Sequence, residues 1–599
     1  MRTMRFVALS FVLGLAAQTL ANPIPTSPEE KWVDVAAEQG GRLPALNAPS
    51  QGLKPEHGPA GRRGAVATEI DVCSNVGADL LKRGGSAADA AIGASLCVGV
   101  VAAFHSGIGG GGFALIRTAH GHYSEVDFRE TAPALSNQTM YEDTNKSSTI
   151  GGLSVGTPGE LRGWEALHAK HGQLPWKAIF QPAIQIARYG FKVPSQLSVS
   201  ITQYADKLLC KEPLWAEVYC PGGKAAQLGD TIKRVRYADT LEIIAEQGVD
   251  AFYHGPIANR TVATVQASGG ILTKADLAAY KVVHRRPAHI QYGKHKVVST
   301  VAPSSGTVVL NTLNVIGQYE DLQEVGTNLT THRLIEATKW AYATRAHLAD
   351  PDFIKNVSQI EWKSITDESA RKIKAEIRDD KTFPPAHYNP ERIDILTDSG
   401  TSQLSVVAAD GSAVTLTTTI NLIWRSQLVT PDGIILNDEM DDFSRPGGSN
   451  AFGYVAASAN FIKPGKRPLS SISPVIAEKD GQISFALGSA GGSRIITANI
   501  INSFNALNGV DLQDSLAQPR WHDQLLPATT VLEWADSDPK IPGWVGYSNS
   551  TAAFLAGLGH NISYAAPGSS TAQGVQRKES GLVKGAHEPR QLSSGAAGV

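Results

Sequence analysis

Cysteine and methionine are scarce in this chain, which has four residues of each among 599. Charge of one sign is also lacking, because 54 basic residues balance 56 acidic residues and leave a net charge of −2. Proteins that bind nucleic acid concentrate Lys and Arg, so this balance excludes a DNA or RNA partner. The chain has no CxxC or HExxH spacing, and we therefore expect no bound metal.

Apolar runs long enough to span a membrane are lacking. A shorter apolar run at the N-terminus predicts a signal peptide over residues 1–21. Arg2 and Arg5 precede an apolar stretch over 6–17, and small residues near Ala21 suit a cleavage site. The stretch is shorter than the roughly 20 residues that span a bilayer, so no stable membrane insertion is expected. An uncleaved signal anchor is the alternative.

Entry into the secretory route makes disulfides the expected state of the four cysteines. Four cysteines allow three connectivities, and we favour the pairing of neighbours in sequence, Cys73 with Cys97 and Cys210 with Cys220. Asn-x-Ser/Thr sequons indicate N-glycosylation. They begin at Asn137, Asn145, Asn259, Asn328, Asn356, Asn549 and Asn561. We expect a secreted protein, with the vacuolar lumen as the alternative destination.

Helix and strand patterns together predict a layered α/β arrangement. Residues 22–62 are rich in Pro, Gly and polar residues and are expected to be a linker or pro-segment. Helical periodicity follows at 75–82, 86–97, 157–170, 177–188 and 332–348, with a strand from Phe113 and further strands after about Asp394. Ser86 and Asp89 have the spacing of a capping box at the start of the second helix.

The segment from residue 398 to 421 predicts a β-hairpin. Asp410-Gly411 lies between two β-prone runs, which is typical of a two-residue turn. That turn would place Thr401 opposite Ile420. It would gather three polar residues at one end of the hairpin, Thr401, Thr419 and Asn421. From the pattern alone, an ordinary polar hairpin end remains an alternative.

Seven motifs in order along the chain carry a resemblance to a known family. They are Ser106-Gly-Ile-Gly-Gly-Gly-Gly-Phe113, Asp127-Phe-Arg-Glu-Thr-Ala-Pro133, Pro158-Gly-Glu-Leu-Arg-Gly163, Asp398-Ser-Gly-Thr401, Asn437-Asp-Glu-Met-Asp-Asp-Phe443, Lys466-Arg-Pro-Leu-Ser-Ser471 and Gly488-Ser-Ala-Gly-Gly492. From Gly64 to Val599 the chain resembles the gamma-glutamyltranspeptidase family. The resemblance implies a four-layer αββα sandwich of the N-terminal nucleophile hydrolase type, without a cofactor.

The resemblance further implies that Thr401 is the nucleophile and that the precursor cuts itself between Gly400 and Thr401. An N-terminal Thr carries its own base, an α-amine with an ordinary pKa of about 8. Inside an uncut chain that amine is part of a peptide bond, so the precursor is expected to be inactive. A large subunit over 63–400 and a small subunit over 401–599 would form a heterodimer.

The remaining site residues are assigned by the same resemblance. The α-carboxylate of a γ-glutamyl group would bind Arg129, Ser470 and Ser471. Its α-ammonium would bind Asn421, Glu439 and Asp442. The oxyanion would bind Gly491 and Gly492, with Thr419 also at the catalytic centre. Taken alone, Arg129 could be a solvated charge, the acidic pair a glycosidase acid and base or a solvated loop, and the glycines a packing turn.

Several other sequence patterns are weaker evidence of function than these seven motifs. The GxGxxG pattern at 107–112 fits a dinucleotide site only if a helix follows, whereas a strand is predicted. The GxSxG pattern at 152–156 lacks the preceding strand of a serine hydrolase. Gln403 stands where many family members carry His. The segment 444–466 is long enough, and contains enough glycine, to form a lid over the site, with Phe452 as a candidate gate.

The resemblance implies a hydrolase and transferase that acts on glutathione and related γ-glutamyl compounds. Water or an amino-acid or peptide acceptor would receive the γ-glutamyl group. One alternative is a β-lactam or glutaryl acylase on the same scaffold, and another is an unprocessed secreted binding protein. The presence of Glu439 and Asp442 argues against an acylase, because a glutaryl group has no ammonium.

Overall fold

The computed structural model describes residues 60–143, 145–391, 393–394, 400–424, 426–447, 455–534 and 546–599. The expected signal peptide at 1–21 and most of the segment 22–62 lie outside the described residues. So do Asp398, Ser399 and the candidate gate Phe452. No helix in the described part of the chain has the length and apolarity needed to cross a membrane.

Fourteen strands build two large sheets. In chain order they are β1 (Ala60–Gly61), β2 (Gly64–Thr68), β3 (Gly111–Arg117), β4 (Tyr123–Asp127), β5 (Val283–Arg285), β6 (Ala288–Tyr292), β7 (His295–Ser299), β8 (Ser402–Ala408), β9 (Ala413–Thr419), β10 (Val475–Lys479), β11 (Gln482–Ala490), β12 (Thr571–Arg577), β13 (Val583–Ala586) and β14 (Gly595–Gly598). Sheet I has the order β14-β2-β8-β9-β3-β4-β5, and sheet II has the order β1-β13-β12-β11-β10-β7-β6. Neighbouring strands are antiparallel throughout both sheets.

The described helices flank these sheets. They are α1 (Asp71–Lys82), α2 (Ala87–Val101), α3 (Glu160–His171), α4 (Trp176–Tyr189), α5 (Ser195–Tyr204), α6 (Pro213–Tyr219), α7 (Val235–Gln247), α8 (Asp250–Tyr253), α9 (Gly255–Ala267), α10 (Lys274–Ala279), α11 (Gly306–Ile316), α12 (Gly326–Arg345), α13 (Val357–Ser364), α14 (Asp367–Glu376), α15 (Pro385–Tyr388), α16 (Arg494–Leu507), α17 (Leu512–Ala517) and α18 (Asn549–Gly557). The five helices predicted from periodicity are all present, with their ends shifted by a few residues.

The two sheets pack face to face between two helical layers, which confirms the four-layer αββα sandwich. Alternate residues of each strand point to opposite faces, so each sheet supplies side chains to two cores. The apolar cluster between the sheets includes Ala65, Leu115, Val407, Val298, Ile476 and Val575. Helices α1 and α2 pack on the outer face of sheet I, and α11 and α16 pack on the outer face of sheet II.

Local signals in the sequence explain how the first helices form. Ser86 and Asp89 form the predicted capping box, in which each side chain bonds the backbone N–H of the other residue. Helix α2 is apolar on all sides and is buried along its whole length, as expected for a helix packed between a sheet and other helices. The disulfide Cys73–Cys97 joins α1 to α2, and Cys210–Cys220 flanks α6. Both predicted pairings are confirmed.

The predicted hairpin is formed by β8 and β9, but its register is not the predicted one. Ser402 pairs with Thr418, and the ladder ends at Ala408, whose N–H bonds the carbonyl of Ser412. Three residues, not two, therefore form the turn. Gly411 takes the left-handed conformation, with φ of 81°, that ends a three-residue hairpin loop. Continued to the open end, this register places Thr419, not Ile420, opposite Thr401.

The glycine run at 107–112 lies where three segments approach closely. A strand, β3, follows the run, so the helix that a dinucleotide site needs is absent there. A Cβ atom on Gly110 would lie 1.9 Å from the carbonyl oxygen of Thr419, and one on Gly112 would lie 2.0 Å from that of Thr417. The run thus permits close packing against β9. At 152–156, a single 3-10 turn over Gly152–Ser154 replaces the strand-turn-helix of a serine hydrolase.

Candidate active site

Two threonine hydroxyls meet at the carbonyl group of Gly400. The Oγ1 of Thr401 donates to the Gly400 oxygen at 2.6 Å, and the Oγ1 of Thr419 donates to the same oxygen at 2.8 Å. The N–H of Asn421 donates to the Thr419 hydroxyl at 2.7 Å and orients it. Two donors on one carbonyl oxygen polarise the Gly400–Thr401 peptide bond. The corrected hairpin register accounts for the position of Thr419.

Only glycine fits at position 400. Its φ of 116° lies in a region that residues with a side chain rarely adopt. A Cβ atom there would also lie 2.1 Å from the carbonyl oxygen of Asn421. The backbone can approach Asn421 this closely because glycine has no side chain. This packing holds the Gly400 carbonyl against the Thr419 hydroxyl.

Asn421 connects the Thr401 end of the hairpin to the acidic segment. Its side-chain amide donates to the carbonyl oxygen of Asp438 at 3.1 Å, and the Asp438 N–H donates to the carbonyl oxygen of Ile420. Asn421 has a φ of 68°, a left-handed conformation that Asn tolerates better than most residues. The Asp438–Glu439 backbone is therefore fixed relative to Thr419.

Arg129, Glu439 and Asp442 form one buried ionic cluster. The guanidinium of Arg129 donates through Nη1 to Glu439 and through Nη2 to Asp442. Its Nε donates to the carbonyl oxygen of Pro468 at 3.4 Å. The resemblance assigned the arginine and the two acids to opposite charges of one ligand. One guanidinium therefore contacts both carboxylates.

The backbone of the acidic segment is fixed by Asn437, a residue that the sequence analysis did not single out. Its side-chain oxygen accepts from the N–H groups of Gly156 and Glu439, at 2.9 and 3.0 Å. Its amide donates to the carbonyl oxygens of Gly109 and Gly156. Asn437 thus joins the glycine run to the acidic segment. Its position directly before two acids was the one signal available in the sequence.

Glu130 is a second residue that sequence reasoning missed. It is fully buried, and both of its carboxyl oxygens lack a hydrogen-bond partner. Its Oε2 lies 4.0 Å from Nη1 of Arg129. Burial raises the pKa of Glu130 to about 8, even though Arg129 acts in the opposite direction. The carboxyl group therefore holds its proton at neutral pH. Its place beside Arg129 in sequence gave no indication that it would be buried.

Ser470 and Ser471 lie on a buried segment whose Pro468 carbonyl accepts from Arg129. The Ser470 carbonyl accepts from the Ser305 hydroxyl at 2.5 Å, and the Ser470 hydroxyl accepts from the Ile472 N–H at 3.2 Å. Arg345 donates to the Ser471 hydroxyl at 3.1 Å. These bonds fix the serine pair near the ionic cluster. The structure thus gathers the predicted carboxylate-binding residues on one segment of chain beside Arg129.

Gly491 and Gly492 form the turn between β11 and α16. Their φ values of 121° and 59° turn the backbone directly into the helix. Gly491 lines a cavity of about 470 Å³ together with Gly400 and Thr401. The N–H groups at such a helix start are available to negative charge. Gly491 therefore lies on the wall of the same cavity as the candidate nucleophile.

The side chain of Gln403 makes its hydrogen bonds within the β8–β9 hairpin. Its side chain is buried, donates to Thr415 Oγ1 at 2.8 Å and accepts from Thr417 Oγ1 at 2.6 Å. It also packs on Gly488, where a Cβ would lie 2.5 Å from the glutamine side chain. Gln403 thus joins the two strands of the hairpin and stays away from the Gly400 carbonyl.

One cluster outside this site has the composition of a metal site. His332 and Glu336 lie one turn apart on α12 and face His560. His332 Nδ1 lies 2.8 Å from His560 Nε2, and His332 Nε2 lies 2.8 Å from the carbonyl oxygen of Arg378. His560 Nδ1 lies 3.3 Å from Nζ of Lys339. Burial and the lysine charge lower the pKa of His560 to about 2. Each ring nitrogen thus has a partner within the protein.

The αββα layers, with a threonine at the start of a central strand, define the fold class of the N-terminal nucleophile hydrolases. A solved cephalosporin acylase from Bacillus halodurans has this fold, with a TM-score of 0.77 and 25% identity over 91% of this chain and 98% of the acylase. The family model described as Gamma-glutamyltranspeptidase matches residues 73–598.

Curated relatives agree with that match. A glutathione hydrolase proenzyme of Arthroderma benhamiae is 42% identical over 557 residues, which cover 90% of this chain and 93% of the relative. A glutathione hydrolase proenzyme of Escherichia coli is 35% identical over 90% of this chain and 92% of its own length. The chain therefore belongs to the gamma-glutamyltranspeptidase family of enzymes.

Proposed function

We propose that this chain is the precursor of a γ-glutamyl hydrolase and transferase that acts on glutathione and related γ-glutamyl amides. The precursor cuts itself between Gly400 and Thr401. The observation that carries the proposal is the pair of threonine hydroxyls, from Thr401 and Thr419, that bond the Gly400 carbonyl oxygen at 2.6 and 2.8 Å.

Self-cleavage follows from that arrangement. The Oγ1 of Thr401 attacks the Gly400 carbonyl carbon and forms an ester. The peptide C–N bond breaks, and the hydroxyl proton passes to the nitrogen of Thr401, which leaves as a free α-amine. The Thr419 hydroxyl stabilises the negative charge that develops on the Gly400 oxygen. Water then hydrolyses the ester, which frees the carboxylate of Gly400 and restores the hydroxyl of Thr401. The α-amine released in the first step is the base that the mature nucleophile needs.

Turnover uses the same hydroxyl on an external amide. The α-amine of Thr401 takes the hydroxyl proton, and Oγ1 attacks the γ-carbonyl carbon of the substrate. The N–H groups of Gly491 and Gly492 bind the oxyanion, and the leaving amine departs with the proton. Water or the amine of an acceptor then attacks the acyl-enzyme and regenerates Thr401.

The ionic cluster supports a γ-glutamyl donor. A substrate α-carboxylate replaces the acids on Arg129, assisted by Ser470 and Ser471. The α-ammonium then pairs with Glu439 and Asp442, while Asn421 completes the site. Exchange of the internal contacts for those with a zwitterion leaves each of these buried charges paired, so the exchange avoids the cost of an uncompensated buried charge.

The mature enzyme is a heterodimer of a large subunit that ends at Gly400 and a small subunit that begins at Thr401, formed after the signal peptide 1–21 is removed. The two disulfides support entry into the secretory route. Six of the seven sequon asparagines are exposed, and Asn328 is half-buried. Glycosylation at exposed sequons follows from that route. The destination is the medium or a vacuolar lumen.

The test compares Thr401→Ala and Thr401→Ser with the wild type. We expect Thr401→Ala to remain one chain without turnover of a γ-glutamyl anilide, because it has no nucleophile. Thr401→Ser keeps a hydroxyl and should still cut and turn over, although more slowly. Turnover by Thr401→Ala would contradict the nucleophile assignment.

A glutaryl anilide distinguishes this proposal from an acylase. It lacks the α-ammonium that Glu439 and Asp442 would bind, so we expect its kcat/KM to be at least about 100-fold lower, as expected for two unpaired buried charges. Preference for the glutaryl anilide would favour an acylase instead.

A further inference from the structure

The side chain of Asn460 bridges the two segments that form the proposed donor site. Its amide donates to the carbonyl oxygen of Asp442 at 2.7 Å, and its oxygen accepts from the N–H of Leu469 at 3.0 Å. Asp442 belongs to the proposed ammonium site, and Leu469 directly precedes the serine pair of the proposed carboxylate site. Asn460 is 1% exposed, so both bonds are shielded from water. One buried amide therefore spans the donor site.

The backbone of Asn460 is bonded as well. Its carbonyl oxygen accepts from the N–H of Ser444 at 3.1 Å, and its N–H donates to the carbonyl oxygen of Ala457 at 3.0 Å. A buried polar group that loses its partner is costly, so these bonds hold the residue in one orientation. The separation of Asp442 and Leu469 is therefore set by the length of one amide group.

Lys466 holds the main chain on both sides of Asn460. Its ammonium donates to the carbonyl oxygens of Ala459 and Phe461, the latter at 2.9 Å. The side chain of Lys466 is fully buried, and a buried ammonium is stable only with acceptors around it. The turn that carries Asn460 is therefore fixed independently of the bonds that Asn460 itself makes.

Arg129 also connects the two segments, but by contacts that a substrate would replace. Its Nε donates to the carbonyl oxygen of Pro468 at 3.4 Å, and its Nη2 donates to the Asp442 carboxylate. In the proposed complex a substrate carboxylate takes the place of that carboxylate. Asn460 bonds main-chain atoms of Asp442 and Leu469, so a bound substrate does not compete for these bonds. The bridge through Asn460 thus persists during turnover.

We propose that Asn460 is a positioning residue for the γ-glutamyl donor, and that it sets the distance between the ammonium site at Asp442 and the carboxylate site at Ser470 and Ser471. The inference rests on the proposed function, in which both charges of one α-amino acid are bound together. Both charges are attached to one α-carbon, so the substrate fixes their separation and the protein must match it. Asn460 acts through these residues and need not touch the substrate.

The experiment compares a γ-glutamyl anilide with a glutaryl anilide, which has the carboxylate but lacks the α-ammonium. Both are measured with one preparation of each variant, so the ratio of their kcat/KM values is independent of the folded and cut fraction. Asn460→Ala loses both side-chain bonds and lets Asp442 shift relative to the serine pair. We expect the ratio of γ-glutamyl to glutaryl turnover to fall at least about tenfold, because a misplaced group loses most of its effect.

Asn460→Asp is the second variant, which decides the question if Asn460→Ala does not fold. Its carboxylate still accepts from the Leu469 N–H but cannot donate to the Asp442 carbonyl when ionised. The ratio should again fall, by about threefold or more, as expected for one lost hydrogen bond.

Asn314→Ala is the matched control. Asn314 lies in α11, is likewise 1% exposed, and donates through its amide to the carbonyl oxygen of Ile365 at 2.9 Å. We expect it to keep the wild-type ratio. An unchanged ratio in the folded Asn460 variants, or an equal fall in Asn314→Ala, would overturn the positioning role. If the wild type does not prefer the γ-glutamyl anilide, the proposed function itself fails, and this inference falls with it.

Discussion

Arg129 offers a planar fork whose two terminal nitrogens bond different carboxylates, Glu439 and Asp442. A lysine at this position offers a compact ammonium in place of that planar fork. We therefore expect Arg129→Lys to raise KM for a γ-glutamyl anilide about 10- to 100-fold, the effect of losing one charge-assisted hydrogen bond. Steady-state kinetics on the cut fraction measure this change.

The control for that variant is Arg162→Lys. Arg162 pairs with Glu165 and Asp250, whose side chains are 47% and 69% exposed. Surface ion pairs of this kind contribute little, so KM should stay within about twofold of the wild type. An unchanged KM in Arg129→Lys would contradict the assignment of Arg129 to the substrate carboxylate.

The raised pKa of Glu130 leads us to expect that KM depends on pH. Burial raises its pKa to about 8, so the group is neutral below that pH and ionised above it. Ionised Glu130 competes with the substrate carboxylate for Arg129. KM of the wild type should therefore rise between pH 8 and about pH 9.5. The glutamine of Glu130→Gln cannot ionise, so the KM of this variant should rise less over the same pH range.

The ratio of the two KM values isolates this effect, because the substrate amine titrates equally with both enzymes. At pH 7 the ratio should lie near one, since a neutral carboxyl and an amide are nearly isosteric. Parallel KM profiles for wild type and Glu130→Gln would show that Glu130 does not titrate beside the substrate.

At the scale of elements, the contact between the glycine run and β9 holds the Thr419 end of the hairpin in place. A Cβ at position 110 would lie 1.9 Å from the Thr419 carbonyl oxygen. Gly110→Ala should therefore displace Thr419 and lower the free energy of unfolding by about 1–3 kcal/mol. We expect self-cleavage to slow at least about tenfold, as after partial loss of an oxyanion donor.

Gly557→Ala is the control for this variant. Gly557 ends α18, and an added Cβ there meets no atom within 4 Å. Its cleavage rate should equal that of the wild type. The cut fraction on a gel, followed over time beside a thermal unfolding curve, separates the two effects. A soluble, folded Gly110→Ala that cuts at the wild-type rate would contradict the packing argument.

Local signals predicted the elements better than their pairing. The capping box at Ser86 and Asp89 depends on neighbours in sequence, and it is present as expected. The hairpin was predicted correctly, but its register was wrong by one residue. Asp410-Gly411 suits both a two-residue and a three-residue turn, because glycine adopts the left-handed conformation that each requires. The choice between them depends on how β8 and β9 pack in sheet I.

In the candidate site, too, individual residues were predicted better than the contacts between them. The family resemblance pointed to Arg129, Glu439 and Asp442 as site residues. It did not indicate that the guanidinium of Arg129 bonds both carboxylates. Glu130 and Asn437 were missed because their importance comes from burial and from distant partners. Such partners, for example Gly109 and Gly156 for Asn437, are far apart in sequence.

At the scale of the whole molecule, each sheet combines strands from both sides of Gly400. Sheet I contains β2 to β5 from before that residue and β8, β9 and β14 from after it. Sheet II likewise combines β1, β6 and β7 with β10 to β13. A cut at Gly400 therefore leaves two chains joined by complete sheets. They should separate only when the fold is denatured.

The most direct test of the account is the mass and N-terminal sequence of the purified protein after denaturation. We predict two chains, one of which begins at Thr401, and one undivided chain for Thr401→Ala. Turnover of a γ-glutamyl substrate by an undivided wild-type chain would contradict the account. Turnover by a chain cut at a bond other than Gly400–Thr401 would contradict it equally.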